Sequence, residues 1–184
     1  VTIKGQDVNY AKDKEFFYLA NSNTGIYKID KTHLKIIKKT TTPIKGYDTN
    51  KLGNVSIESS DKNLYYSVEM AGIRNIYVYN KKNLKLTRII QLPIHAGGMI
   101  RSFFLKKGQL FIGTDTALLQ FDLARNTIVR KIDLGADFYA YGIEKILSIE
   151  GDTLYLLTQY KLYIMDLAQQ KISKKLNFGM NRFD

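Results

Sequence analysis

Few residues of this sequence can do acid–base chemistry near neutral pH. There are two histidines, His33 and His95, and no cysteine, which excludes thiolate nucleophiles, disulfides and cysteine-based metal sites. His33 lies in a polar turn, where we expect it to be solvated. The sequence contains no nucleophile-elbow, phosphate-loop, zinc-protease or calcium-loop pattern. This inventory favours a protein without catalytic activity, cofactor or metal.

His95 lies in a loop whose composition suits a ligand site. The segment reads Pro93-Ile94-His95-Ala96-Gly97-Gly98-Met99-Ile100-Arg101, and its two glycines let the backbone bend or approach a ligand closely. Two interpretations remain open. Either His95 and Arg101 belong to an anion or carbonyl site, or the glycines only turn the chain and His95 caps the loop.

The elements that position these residues repeat with a period near 45 residues, which is typical of a propeller or solenoid. An acid or amide ends a strand-like segment at four positions spaced 50, 42 and 44 residues apart, namely Asp30, Asn80, Asp122 and Asp166. An apolar, aromatic-rich segment precedes each of them. These segments are spaced 48, 46 and 44 residues apart and begin at Phe16, Leu64, Leu110 and Leu154.

Each repeat divides into four short strands, A to D, separated by turn signals. In the last repeat the strands are predicted over 143–149, 154–158, 161–166 and 171–178. Strand B is apolar along nearly its whole length, so both of its faces must be covered. Neighbouring blades cover both faces of a middle strand in a propeller. The sequence therefore predicts an all-β protein, a β-propeller or partial propeller of about four four-stranded antiparallel blades.

The predicted organisation is a single domain over 1–184, with blades near 6–46, 47–97, 98–135 and 136–179. Residues 1–5, Val-Thr-Ile-Lys-Gly, have the pattern of a D strand and are predicted to be the last strand of a preceding or closing blade. Three arrangements follow: a part of a ring with about six to eight blades, a closed four-bladed ring, or a ring completed by two chains. The unpaired opening strand and the missing initial Met favour a partial propeller.

The best-formed units carry a family resemblance. Residues 121–135 read Phe-Asp-Leu-Ala-Arg-Asn-Thr-Ile-Val-Arg-Lys-Ile-Asp-Leu-Gly, and residues 163–179 repeat the pattern. These units resemble the YVTN-type repeat of the quinoprotein-like propellers. The first two repeats depart from it, since Lys31-Thr32-His33 and Lys81-Lys82-Asn83 replace small turn residues. The resemblance implies a propeller fold with varied surface, secreted and enzymatic roles, and it transfers no active site.

Antiparallel strands alternate in direction, so the D–A and B–C loops emerge on one side of a blade, which we name the loop face. Its aromatic and arginine side chains are residue types enriched at interface hot spots. The alternative is that the aromatic residues pack onto the neighbouring blade. The predicted partner-binding residues are Tyr47, Asp48, Arg74, His95, Arg101, Phe138, Tyr139 and Tyr141.

The formal net charge is +11, and the basic residues concentrate in the C–D turns and D strands. Lysine on the outer strand of a blade discourages pairing with other chains, which explains most of this charge. A basic rim that binds an anionic polymer or surface remains an alternative. Nucleic acid is disfavoured as a ligand, because aromatic residues for base stacking are not interleaved with the lysines.

We therefore expect a non-catalytic interaction or scaffold module that presents its loop face to a protein partner, or to another part of a larger parent chain. One alternative is a lactonase- or quinoprotein-like enzyme with a central pocket formed by Asp48, His95, Arg101 and Glu144. A homodimer that completes a ring is also predicted as possible. No apolar run approaches the roughly 20 residues of a membrane-spanning helix, so we expect a soluble chain. An extracytoplasmic location (periplasmic, secreted or cell surface) is the favoured expectation, and a cytoplasmic location is the alternative.

Overall fold

The computed structural model describes residues 8–44, 53–70, 72–135, 142–158 and 160–177. These residues contain sixteen β-strands, β1 to β16, and a short 3-10 helix, Ile94–Ala96. Within the described ranges, no helix has the length and apolar composition that crossing a membrane would require. The predicted all-β class is confirmed.

The strands form four antiparallel sheets, each a meander of four consecutive strands. Sheet 1 contains β1 (Val8–Lys12), β2 (Phe16–Asn21), β3 (Gly25–Asp30) and β4 (Ile36–Thr40), and sheet 2 contains β5 (Val55–Ser59), β6 (Asn63–Val68), β7 (Asn75–Asn80) and β8 (Leu86–Gln91). Sheet 3 contains β9 (Ile100–Lys106), β10 (Gln109–Thr114), β11 (Ala117–Asp122) and β12 (Thr127–Asp133), and sheet 4 contains β13 (Lys145–Glu150), β14 (Thr153–Leu157), β15 (Lys161–Asp166) and β16 (Lys171–Asn177). Four-stranded blades with a period near 45 residues are thus confirmed.

The acid or amide at the end of each third strand has a local structural role. In sheet 3 the Asp122 Oδ1 atom accepts hydrogen bonds from the backbone N–H groups of Ala124 and Arg125, both at 2.9 Å. Asp30, Asn80 and Asp166 accept equivalent bonds in the other sheets. A short side-chain acceptor satisfies the turn backbone in this way and starts the hairpin. The repeat signal therefore reports turn chemistry.

Strand pairing corrects the alignment of the first repeat by one residue. The first residues of β2, β6, β10 and β14 each pair with the acid or amide that ends the next strand, as Phe16 pairs with Asp30 and Asn63 with Asn80. The counterpart of Leu64 is therefore Phe17, although the sequence comparison aligned Leu64 with Phe16. Apolar residues at both positions 16 and 17 hid the shift.

The chain divides into two compact units, residues 1–94 and 95–184. In unit 1, one face of sheet 1 packs against one face of sheet 2. Tyr18, Ala20 and Ile26 of sheet 1 are completely buried in this cluster, as are Leu64 and Tyr66 of sheet 2. The Tyr66 hydroxyl donates to the Asn21 carbonyl oxygen at 3.2 Å, which joins the two sheets by a buried hydrogen bond.

In unit 2, sheets 3 and 4 pack in the same way. The core contains Phe111 and Leu118 from sheet 3 and Leu154, Leu156 and Tyr163 from sheet 4. Gly113 of β10 allows a close approach, because an added Cβ atom there would lie 2.8 Å from the Cβ atom of Ile143, which lies just before β13. A glycine in this strand is therefore required by the packing of that segment.

The second strands differ in how completely they are buried. Every residue of β6 and β10 after the first is buried, which is the pattern predicted for strand B. In contrast, buried and half-buried residues alternate along β14, and Phe17 and Leu19 of β2 are only half-buried. One face each of sheets 1 and 4 thus remains partly accessible to solvent.

Candidate functional site

The loop face of unit 1 contains a half-open cleft of about 590 Å³. The loops between β6 and β7 and after β4 and β8 form its walls. Its lining residues are Pro43, Ile44, Gly72, Ile73, Arg74, Asn75, Tyr77, Gln91, Leu92 and Ile94. Among the described lining residues, Arg74 is the one cation and none is acidic. The cleft therefore combines a positive group with apolar and amide side chains.

Backbone contacts hold the β6–β7 loop in place. Met70 and Ile73 form an antiparallel bridge, and Gly72 between them adopts φ of 80°, which a glycine tolerates without strain. The Leu92 N–H donates to the Arg74 carbonyl oxygen at 2.8 Å. Since Leu92 is buried, this bond anchors the loop to the end of β8. Arg74 is half-buried at the start of β7, on a fixed backbone.

Both polar and apolar groups line the cleft. The Asn75 side-chain amide donates to the Tyr77 hydroxyl at 3.3 Å, and the Tyr77 ring is buried beneath it. Ile94 stands at the edge with 82% of its surface exposed, the largest exposed fraction of any large hydrophobic residue described. An exposed aliphatic side chain beside an arginine suits a ligand that carries a carboxylate next to an apolar group.

Unit 2 engages its loop-face arginine internally. The Arg101 Nε atom donates to Asp115 Oδ1 at 2.5 Å, and the Met99 N–H donates to Asp115 Oδ2 at 2.9 Å. An added Cβ atom at Gly98 would lie 2.6 Å from Asp115 Oδ2, so this glycine admits the carboxylate. Gly98 thus makes room for a contact within the fold. An anion bound at Arg101 would compete with Asp115.

The structure describes two further residues of the predicted catalytic pocket, His95 and Glu144, whereas Asp48 lies outside the described residues. His95 lies exposed in the 3-10 helix, and Glu144 is exposed before β13. Among the described residues no group of three histidine or acidic side chains is suited to hold a metal ion. Of the three pocket residues that the structure describes, Arg101 is the one with a defined polar contact, to Asp115.

Five of the predicted partner-binding residues lie outside the described residues: Tyr47, Asp48, Phe138, Tyr139 and Tyr141. Of the other three, Arg74 lines the cleft, Arg101 contacts Asp115, and His95 is exposed. The sequence analysis missed Ile94 and Asp115. The sequence contained a signal for each of them. Ile94 is a large aliphatic residue between a proline and a histidine, and Asp115 is an acid in the β10–β11 turn.

The outer strands carry the exposed basic residues. On β4, Lys38 and Lys39 are exposed, and on β16 the exposed lysines include Lys174 and Lys175. The Lys175 Nζ atom lies 5.6 Å from the centre of the Tyr163 ring. Exposed lysines thus lie on β4 and β16, and none of these four belongs to the described lining of the cleft.

No protein-family model matches the sequence, and no curated protein matches it at a significant level. A solved structure that resembles the chain is hydrazine synthase from Kuenenia stuttgartiensis, with 14% identity and a TM-score of 0.67 over 96% of this chain and 51% of the other. The chain spans about half the length of that protein chain. As many as 773 solved chains show a significant likeness, so the likeness identifies a widespread fold. At this identity it shows the fold alone: the chain is similar to β-propeller-containing proteins.

Proposed function

We propose that this protein is a non-catalytic β-propeller interaction module that binds a protein partner through its loop face. The cleft around Arg74 and Ile94 carries the proposal. We infer that the bound segment presents a carboxylate to Arg74 and an apolar side chain to Ile94. The net charge of +11 favours association with an acidic partner by long-range attraction. The resemblance of residues 121–135 and 163–179 supports a YVTN-type repeat as the frame.

The proposed mechanism is that a rigid frame of β-strands holds the binding residues in place for the partner. The β7 and β8 strands fix the backbone on both sides of the cleft, so little conformational entropy is lost when a partner binds. Arginine offers several donors in a planar group and pairs well with carboxylates. An apolar contact beside that pair excludes water and strengthens it.

Selection from a displayed peptide library tests this function. We expect the selected peptides to share an acidic residue near a large apolar residue. Their dissociation constants, measured by calorimetry, should rise about 30-fold or more for Arg74→Ala and for Ile94→Asp, the size of a hot-spot loss.

Ile37→Asp is the matched control, because Ile37 is also an exposed isoleucine, 54% accessible, but lies on β4. It should leave affinity unchanged. Selection of peptides that bind Arg74→Ala, Ile94→Asp and Ile37→Asp equally well would place the binding surface elsewhere, and failure to select any peptide would argue against peptide recognition.

A further inference from the structure

Sheet 1 exposes a face on which aromatic and aliphatic residues predominate, with Lys12 and Lys39 beside them. Directly paired residues of antiparallel strands project to the same side, and Tyr10 pairs with Leu19, which pairs with Tyr27. We name this side the outer face of sheet 1; it comprises Val8, Tyr10, Phe17, Leu19 and Tyr27. Tyr10 is 57% exposed and Val8 is 48% exposed.

The equivalent face of sheet 2 shows what normally covers such a surface. Val55 and Ile57 occupy the positions of Val8 and Tyr10, because each pairs with the same position of the second strand. They are only 5% and 4% exposed, since this face packs on sheet 1 within unit 1. The covering element there is the opposite face of another blade, built on Tyr18, Ala20 and Ile26.

Sheet 4 exposes the complementary type of face. Tyr155, Leu157 and Leu162 occupy the positions of Tyr18, Ala20 and Ile26. The sheet 1 residues are completely buried, whereas the three in sheet 4 are half-buried. With Ile164 and the 40% exposed Leu176 they form the apolar part of the outer face of sheet 4, which also carries Lys145 and Lys174. One chain therefore carries both halves of a blade-to-blade contact.

The turns at one edge of the two outer faces carry residues of opposite charge. In unit 1, Lys81 Nζ lies 3.0 Å from Asp13 Oδ2 and joins the turns of the two packed sheets. Glu150 of sheet 4 occupies the turn position of Asp13, and Lys31 of sheet 1 occupies the turn position of Lys81. Lys31 Nζ lies over the Phe17 ring at 4.9 Å, at the edge of the outer face of sheet 1, and Glu150 is exposed.

From these features we infer that a second copy of this chain covers both faces. The outer face of sheet 4 of one copy packs on the outer face of sheet 1 of its partner, and Glu150 pairs there with the partner's Lys31. The reciprocal contact closes a dimer. The partner in this contact is a blade, and the contact uses none of the described residues that line the cleft proposed for other proteins.

Sedimentation equilibrium between about 1 and 100 µM tests the inference. We expect a mass twice the 21.1 kDa of the chain. Tyr10→Lys should raise the dimer dissociation constant about 30-fold or more, because the contact would bury an unpaired ammonium group. Leu86→Lys is the matched control: Leu86 is 43% exposed on β8, and its replacement should leave the mass unchanged.

Exchanging the charges of Lys31 and Glu150 tests which faces pair. Lys31→Glu and Glu150→Lys should each weaken the dimer, and the double variant should restore it. Mixing Tyr10→Lys with Leu162→Lys chains should also recover one of the two contacts and yield heterodimers. A monomer at every concentration, a dimer indifferent to Tyr10→Lys, or a double variant no better than the single ones would overturn the inference and assign the faces to another occupant.

Discussion

Leu34 and Leu84 share a left-handed backbone conformation but differ in burial. Each lies four residues after the acid or amide of its turn and has φ of 51°, a left-handed conformation that costs a branched residue of order 1 kcal/mol or more. Asn126 and Gln170 occupy the equivalent positions, both with φ of 55°. Leu84 is 3% exposed, whereas Leu34 is 62% exposed. Only Leu84 offsets the strain by burial.

Leu34→Asn should therefore stabilise the protein by about 0.5–1 kcal/mol, because asparagine tolerates this conformation better and no packing is lost. Urea denaturation at neutral pH measures the change. The same substitution at Leu84 is the matched control and should destabilise by about 2 kcal/mol, because it removes a buried side chain. If both substitutions changed the free energy of unfolding equally, burial would not explain the difference between the two sites.

Between elements, the contact of sheets 1 and 2 depends on Asp13. Its carboxylate accepts from Lys81 at 3.0 Å, from the Tyr18 hydroxyl at 2.9 Å and from the Phe16 N–H at 2.8 Å. Burial alone would raise the pKa of Asp13, but the hydrogen bonds from Lys81, the backbone and Tyr18 outweigh it and hold the pKa well below its ordinary value.

Because the pKa of Asp13 is lower in the folded state, its ionised form stabilises the fold above the unfolded pKa of about 3.9, and this contribution is lost as pH falls. Asp13→Asn should thus destabilise by about 1 kcal/mol at pH 7, a modest value because solvent screens the partly exposed pair. The difference from the native protein should shrink below about pH 4. Urea denaturation across pH measures it.

Asp61→Asn provides the comparison for Asp13, since Asp61 is an exposed acid in the corresponding turn of sheet 2. Its replacement should change stability little at either pH. A loss at Asp13 that persists unchanged at pH 3 would mean that its ionised form is not the stabilising species.

The outer strand β4 tests the role assigned to lysine. Its sequence is Ile-Ile-Lys-Lys-Thr, with Ile37, Lys38 and Lys39 all exposed. Replacing both lysines with valine leaves an uncharged apolar edge, and we expect concentration-dependent aggregation measured by light scattering. Replacing both with arginine keeps the charge and should remain monodisperse relative to the native protein. If the valine variant scatters no more than the arginine variant, edge protection is not the function of these lysines.

At the level of the whole chain, the two proposals concern different surfaces and fail independently. Variants of the cleft, Arg74→Ala and Ile94→Asp, leave the outer faces of sheets 1 and 4 intact. Tyr10→Lys leaves the cleft intact. A protein that binds peptides as a monomer would support the interaction function and reject the dimer.

The site was only partly predictable from the sequence. Arg74 was selected because it lies in a B–C loop, and the structure places it in the cleft. Arg101 was selected because it lies in a D–A loop, and the structure shows that Asp115, fourteen residues away, accepts a hydrogen bond from it. Spacing along the chain assigns both arginines to the loop face. It does not say that the Asp115 carboxylate lies beside Arg101.

The sequence alone determined the fold class, the four-stranded repeat and the turn chemistry. These depend on local patterns: an acid or amide that caps a turn, and apolar residues that pair along a strand. Tertiary structure decided the register of the first repeat, the Asp13–Lys81 and Arg101–Asp115 contacts, and which blade faces are buried. Those features depend on atoms brought together from distant parts of the chain, so the same apolar pattern is interior in Ile57 and exposed in Tyr10.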